Sequence, residues 1–262
     1  MRNLSAAEKG LNTAIEQMTT GKKLIRAKDN AANYSIMKNM ETKLSAWNIA
    51  SDNISIGHDM LETADSNASL IGNHLQRIRD LCEQAANGTY GEASIKAIKS
   101  EITARSDEIN RIKENAEFND IKLFGEYDNE GHLIRKKINL QVGINGDESS
   151  RIAVDMTMDL SGISDISEWD VTDAGCLDRI DEMLNAVSDY QVEIGVSQNR
   201  LECALELAAV NTEHLSASIS TIRDADIAKA SSDFIKYEIL RQACVTLLST
   251  ANQMPSIALQ LL

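Results

Sequence analysis

The residues of this chain best suited to chemistry are four cysteines and four histidines, and their spacing argues against a built site. Cys82, Cys176, Cys203 and Cys244 stand far apart and form no CxxC pair. They read as buried or stray thiols, not as zinc ligands or a disulfide framework. His58, His74, His132 and His214 are equally scattered, without metal-ligand spacing. No nucleophile elbow, HExxH helix, phosphate-binding loop or GxGxxG turn occurs. Forty acidic residues against 26 basic ones give a formal net charge of -14. On helices such carboxylates form solvated faces with partners four residues away, not acid–base dyads. The acidic balance also repels phosphate backbones, which argues against nucleic acid as a partner. The expectation is a protein that is not an enzyme and holds no cofactor or metal.

The elements that would position any site are long helices. Aromatic residues are only 4% of the chain and Pro255 is its one proline, a poor composition for sheets and turn-rich loops. From about Leu44 to Ala86, Trp47, Ile54, Leu61, Ala68, Leu75 and Cys82 recur every seven residues. Ala50, Gly57, Ala64, Ile71, Ile78 and Ala85 follow at the companion position. This is an a/d seam free of charge, on a helix roughly 65 Å long at 1.5 Å per residue. Asn87-Gly88 ends it in a turn. A second helix is predicted over about 92–114, with Ile95, Ile102 and Ile109 in one row and Ile98 and Ile112 in another. A third, over about 173–222, carries Ile180, Val187, Ile194, Leu201, Ala208, Leu215 and Ile222. Three such stripes bury one another in an elongated bundle. The fold class is therefore mainly α, a coiled-coil helical bundle with one β-hairpin. The hairpin spans 138–156: Ile138, Leu140, Val142 and Ile144 alternate with small and polar residues, Asn145-Gly146 supplies a two-residue turn, and Ile152, Val154 and Met156 return. Residues 157–172 are a short connector.

Both chain ends are one-sided helices. Leu4, Leu11, Ile15 and Met18 mark a stripe that Gly21 stops. Ile227, Ala230, Phe234, Tyr237, Leu240, Cys244, Leu247 and Ala251 mark another near the C-terminus. Isolated helices of this length are marginal in water, so the ends are expected to be loose alone and to order against neighbouring subunits. Residues 243–262 carry no charge, yet Thr246, Ser249, Thr250, Asn252, Gln253 and Pro255 interrupt the apolar run. That excludes a membrane span and points to a protein interface. Residues 1–10 are polar and lack the apolar stretch of a signal peptide.

Several stretches, in order along the chain, resemble the bacterial flagellin family. Residues 21–32 (GKKLIRAKDNAA) resemble the family's spoke segment, and residues 75–88 (LQRIRDLCEQAANG) its LQRxREL motif. Residues 117–124 (EFNDIKLF) resemble its FNGxKLL segment, and residues 140–143 (LQVG) match its LQxG strand. Residues 222–226 (IRDAD) and 242–262 resemble its C-terminal helix and ANQxP ending. The match covers nearly the whole chain apart from about 157–172, where larger members carry variable outer domains. The resemblance implies an N-terminal inner-core helix and spoke over 1–33, a helical rod over 34–221, and a C-terminal inner-core helix over 222–262. Family members usually carry further residues before the segment matching Asn3-Leu4. The resemblance thus leaves open a misassigned start, a processed chain or weak assembly.

By resemblance, the chain is a structural subunit of the flagellar filament, self-assembling for motility and exported to the extracellular flagellum without a cleaved signal peptide. The alternatives are a non-assembling secreted paralogue acting as an innate-immune ligand, and a hook–filament junction protein. Implied partners are other flagellin subunits, the export chaperone on the C-terminal helix, the filament cap and hook-junction proteins, and the vertebrate Toll-like flagellin receptor. The polymer interface is assigned to Leu4, Leu11, Ile15, Met18, Phe234, Leu240, Leu247 and Leu248. The receptor contact carried over from the family falls on Leu75, Gln76, Arg77, Leu81, Gln84 and Glu101, with Arg77 at its centre, where a guanidinium offers both stacking and forked hydrogen bonds.

Overall fold

The computed structural model of the chain describes residues 2–127, 133–134, 137–163, 166, 169 and 171–260. His132, part of the 157–172 connector and the last two residues of the C-terminal segment lie outside the described residues. In chain order the elements are helix α1 (Arg2–Thr20), α2 (Ala31–Ala86) and α3 (Glu92–Asn115), then strands β1 (Glu117–Phe118), β2 (Ile121–Lys122), β3 (Glu126–Tyr127), β4 (Leu133–Ile134) and β5 (Lys137–Gln141). A 3-10 turn (Glu148–Ser150), β6 (Arg151–Asp155), a second 3-10 turn (Ser161–Ile163), α4 (Ala174–Arg223) and α5 (Ile227–Gln260) complete the chain.

The long-helix expectation holds, and α2 extends further back than its seam suggested. Asn30 caps its first turn, its side chain accepting from the Asn33 amide at 3.0 Å and its carbonyl from the Tyr34 amide. Lys43 and Asn33, which fall on the two seam rows, interrupt the apolar repeat and hide this start from a heptad count. Asp226 caps α5 in the same way, accepting from the amides of Ala228 and Lys229. Gly21, at φ +68°, closes α1 in the left-handed conformation that stops a helix.

The chain divides into two compact units, residues 1–45 with 211–262, and residues 46–210. The divisions fall within α2 and α4, because each long helix changes packing partners partway along its length. The unit over 46–210 holds the larger core. Ile54, Leu61, Ala68, Leu75 and Cys82 are buried along α2 with Ala64, Ile71, Ile78 and Ala85. Ile98, Ile102, Ile109 and Ile112 of α3 and Ile180, Val187, Ile194, Leu201 and Ala208 of α4 face the same core. The seams read from sequence are thus the buried faces, and the apolar area they remove from water stabilises the bundle at about 25 cal/mol per Å².

The β content departs from the single expected hairpin. Among the described residues, three two-stranded antiparallel sheets form, β1–β2, β3–β4 and β5–β6. The first turns on Asn119 and Asp120, with φ +48° and +64°, the two-residue geometry that suits a twisted ribbon. The third pairs Lys137 with Asp155 through Gln141 with Arg151. Its turn is not Asn145-Gly146. The ladder ends at Gln141 because the amides of Val142 and Gly143 both donate to the Ser150 carbonyl, at 2.9 and 3.1 Å. Asp147 then accepts from the hydroxyls of Ser149 and Ser150, and the Gln141 amide reaches the carbonyls of Gly143 and Asn145. These side-chain bonds stabilise a longer loop in which Asn145-Gly146 lies well short of the return strand. The strand β5 sits close on α2: a methyl on Gly57 would come within 2.9 Å of the Leu140 side chain.

The connector also does more than join. Met158, Leu160, Ile163, Ile166 and Val171 are all buried in the core, and the buried Ser106 hydroxyl of α3 donates to the Ile163 carbonyl at 2.8 Å. Tyr190 of α4 donates to the Leu123 carbonyl and packs edge-on against Phe124, with ring centroids 5.4 Å apart.

Candidate assembly and recognition surfaces

The terminal unit is built on α1 packed along α5. Small residues make the approach possible: Ala7 and Ala14 are buried beside Leu11, and Ala230 on α5. Gly10 lies so close that a methyl there would meet the Tyr237 ring at 2.5 Å. Leu11 was expected at the polymer interface but is buried within the subunit, because it lies on the α1 face turned to α5. Leu4 and Phe234 are half-buried. Ile15, Met18, Leu240, Leu247 and Leu248 are exposed, with Leu247 at 69%. The exposed set on α5 also takes in Ile235, Ile239 and Val245, which a one-face helical reading omits. Pairing with α1 therefore covers only part of α5 and leaves an extended apolar surface, the kind that marks an interaction site.

The segment resembling a spoke joins the two halves of this unit. Lys22 bridges Asp224 in antiparallel fashion, the Lys23 amide donates to the Arg223 carbonyl at 2.7 Å, and the Ala225 amide to the Gly21 carbonyl at 2.8 Å. Leu24 packs with Met37 and Ile219 into a second, smaller core. Asp29 accepts from the amides of Arg26 and Ile25, and the Arg26 amide above all holds its carboxyl below the usual carboxylate range.

The six residues carried over as a receptor contact divide in two. Leu75 and Leu81 are 0% and 2% exposed, so they support the patch from the core and are not available to touch a partner. Leu75 completes the a/d packing of α2 and Leu81 is buried beside the seam in the same core, which corrects their assignment as contacts. Gln76, Arg77 and Gln84 are exposed, and Glu101 is partly so. Arg77 Nε donates to Glu101 Oε1 at 3.3 Å, joining α2 to α3. Arg105, four residues on from Glu101, donates to the same oxygen at 3.1 Å. That bond, ahead of the nearby Arg77, keeps the Glu101 carboxyl below its ordinary range. Gln84 Nε2 donates to the Tyr90 hydroxyl at 2.7 Å. Arg105 and Tyr90 were not singled out from sequence, although the Glu101–Arg105 spacing is a recognisable helix pair.

Two further groupings emerge only in three dimensions. His58, Asp59 and Glu62 bring ligand atoms within 4.8 Å of one another, all exposed on one turn of α2, a disposition common on solvated helix faces. The second unites Cys82 with Cys176, which sequence reading had left apart. Their sulfurs lie 3.0 Å from each other in the core.

The α1–α5 pair with its spoke-like crossing in one unit, and the long helices with small hairpins in the other, are the parts expected of a filament subunit, and the comparisons agree. The family model for the bacterial flagellin N-terminal helical region matches residues 1–129, and that for the C-terminal helical region matches residues 177–262. A flagellin of Halalkalibacterium halodurans is 35% identical over 99% of this chain and 93% of its own length. A flagellin of Bacillus subtilis is 34% identical over 99% and 94%. A flagellar filament core protein of Brachyspira hyodysenteriae is 32% identical over 100% and 95%. In fold, the chain is similar to a solved Vibrio parahaemolyticus structure described as a flagellar hook-associated protein, with a TM-score of 0.54 at 15% identity, over 75% of this chain and all of that one. The chain belongs to the bacterial flagellin family.

Proposed function

We propose that this chain is a structural subunit of the bacterial flagellar filament, polymerising with copies of itself on the outside of the cell. The observation that carries this reading is the apolar surface of α5 that α1 leaves uncovered, in a chain whose family relatives include flagellins and a flagellar filament core protein. In a polymer, neighbouring copies bury Ile239, Leu240, Leu247 and Leu248, and the hydrophobic effect then drives association. No enzymatic role is part of this reading. Among the described residues, no helix is long and apolar enough to cross a membrane. The extracellular location in this reading rests on the flagellin relatives.

The same exposed stripe suits an amphipathic groove in the export chaperone, which would shield Leu240, Leu247 and Leu248 before assembly. The filament cap and the hook-junction proteins are the corresponding contacts at the two filament ends. The patch formed by Gln76, Arg77, Gln84 and Glu101 is the proposed contact for the vertebrate Toll-like flagellin receptor, with Arg77 held on Glu101. Its support is the resemblance of residues 75–88 together with the exposure of these four polar side chains.

The assembly reading is tested with Leu247→Asp. Leu247 is exposed, so the variant is expected to keep the wild-type helical content by circular dichroism and to lose pelletable polymer. Wild-type polymer yield from this variant would overturn the role given to the α5 surface.

A further inference from the structure

The contact between Cys82 and Cys176 is a buried cluster of reactive groups that the proposed filament interface does not use. Cys82 lies in the last turns of α2 and Cys176 in the first turn of α4. They are 94 residues apart in sequence, and both are buried. The separation of 3.0 Å is within roughly 1 Å of a covalent sulfur–sulfur bond. An independent tie fixes the same two helices in register: Arg79 Nε donates to Asp181 Oδ1 at 2.7 Å. The intervening chain holds α3, all three hairpins and the segment over 157–172. We infer that Cys82 and Cys176 form an oxidisable dithiol, and that their disulfide staples the start of α4 to the end of α2 outside the cell.

The oxidant is a low-molecular-weight disulfide, in the oxidising surroundings that persist outside the cytoplasm. One cysteine thiolate attacks a sulfur of that disulfide, which expels one small thiolate and leaves a mixed disulfide on the protein. The second cysteine, once deprotonated, attacks the protein sulfur of the mixed disulfide and expels the other small thiolate. Two electrons and two protons pass from the protein thiols to the small disulfide, which ends as two thiols. The hydrogen bond to Cys176, followed by burial, pushes the Cys82 thiol up from its usual range. Exchange in the folded chain is therefore slow. The bond forms when the chain is open, and folding selects this pair over Cys203, which is exposed, and Cys244, on α5. Closing so long a loop restricts the unfolded chain strongly.

The test uses the full chain, unfolded in guanidinium and refolded by dilution into a mixture of reduced and oxidised glutathione. Remaining thiols are alkylated under denaturing conditions and mapped by mass spectrometry. The expected result is a peptide cross-linked through Cys82 and Cys176, with Cys203 and Cys244 alkylated and the same bond in the Cys203→Ser/Cys244→Ser double variant. The oxidised protein is expected to melt on the order of 10 °C above the reduced one, and dithiothreitol should abolish the difference. Full alkylation of Cys82 and Cys176, glutathione carried on either of them, or a cross-link that leaves melting unchanged or lower would each overturn the inference.

Discussion

Tyr190→Phe removes one oxygen from the core and nothing else. The Tyr190 side chain is 3% exposed, its hydroxyl donates to the Leu123 carbonyl, and its ring rests edge-on against Phe124. Phenylalanine keeps the ring contact and leaves the carbonyl without this donor. An unsatisfied buried acceptor costs about 1–3 kcal/mol. For a unit of the size of residues 46–210, each kcal/mol lowers the midpoint by about 2–4 °C, so thermal unfolding followed by circular dichroism should shift down by about 2–12 °C. Burial, and then the charges of Asp155 and Asp65, push the Tyr190 phenol above its ordinary value. Its neutral form is thus favoured by folding. That contribution is fully present below the unfolded phenol's pKa of about 10 and is lost as pH rises above it. Wild type should therefore lose stability between neutral and strongly alkaline pH more steeply than Tyr190→Phe, and the difference between the two curves isolates this residue from the lysines and other tyrosines. A variant melting within a degree of wild type, with a parallel alkaline curve, would refute the buried bond.

Ile71→Ala, at a fully buried seam position of α2, should cost about 2–5 kcal/mol in urea unfolding, whereas a surface substitution such as Asp59→Ala should stay within about 0.5 kcal/mol. Gly10→Leu forces a side chain into the Tyr237 ring; α1 should separate from α5, seen as faster proteolysis within residues 2–20 and poorer polymerisation. Arg77→Ala should leave the unfolding free energy within about 1 kcal/mol of wild type, because its pair with Glu101 is exposed, and should weaken receptor signalling by the monomer. Undiminished signalling would remove this patch from the proposal.

The helices were legible because each seam repeats over many turns. The rows through Leu61 and Ile180 carry enough identical choices that one face must be buried, and the structure buries it. The start of α2 was not legible, since Asn33 and Lys43 fall on the seam rows and break the heptad signal before it reaches the Asn30 cap. The two extra hairpins are a pair of residues to a strand, too short for alternation to register. Asn119-Asp120 was recognised as part of a family segment and not as a turn, because asparagine and aspartate tolerate positive φ less conspicuously than glycine. Asn145-Gly146 misled for the opposite reason: the dipeptide is a strong turn signal, yet Asp147 and Gln141 redirect the backbone through side-chain bonds that no local count weighs. In the candidate contact patch, the polar members were placed on the surface correctly by type. Leu75 had already been claimed by the seam, and a single leucine does not serve both faces of one helix; Leu81 lies off both seam rows, so its burial showed only in the packed structure. The meeting of Cys82 and Cys176 needed the register of α2 against α4, which depends on everything folded between them.

The most direct test of the central claim is sedimentation of the purified chain with and without short filament seeds, with the pellet viewed by negative-stain electron microscopy. The account predicts pelletable filaments, seeded growth, and loss of both in Leu247→Asp. A wild-type chain that stays monomeric in the presence of seeds, under conditions where its helices are folded, would contradict a role as a filament subunit.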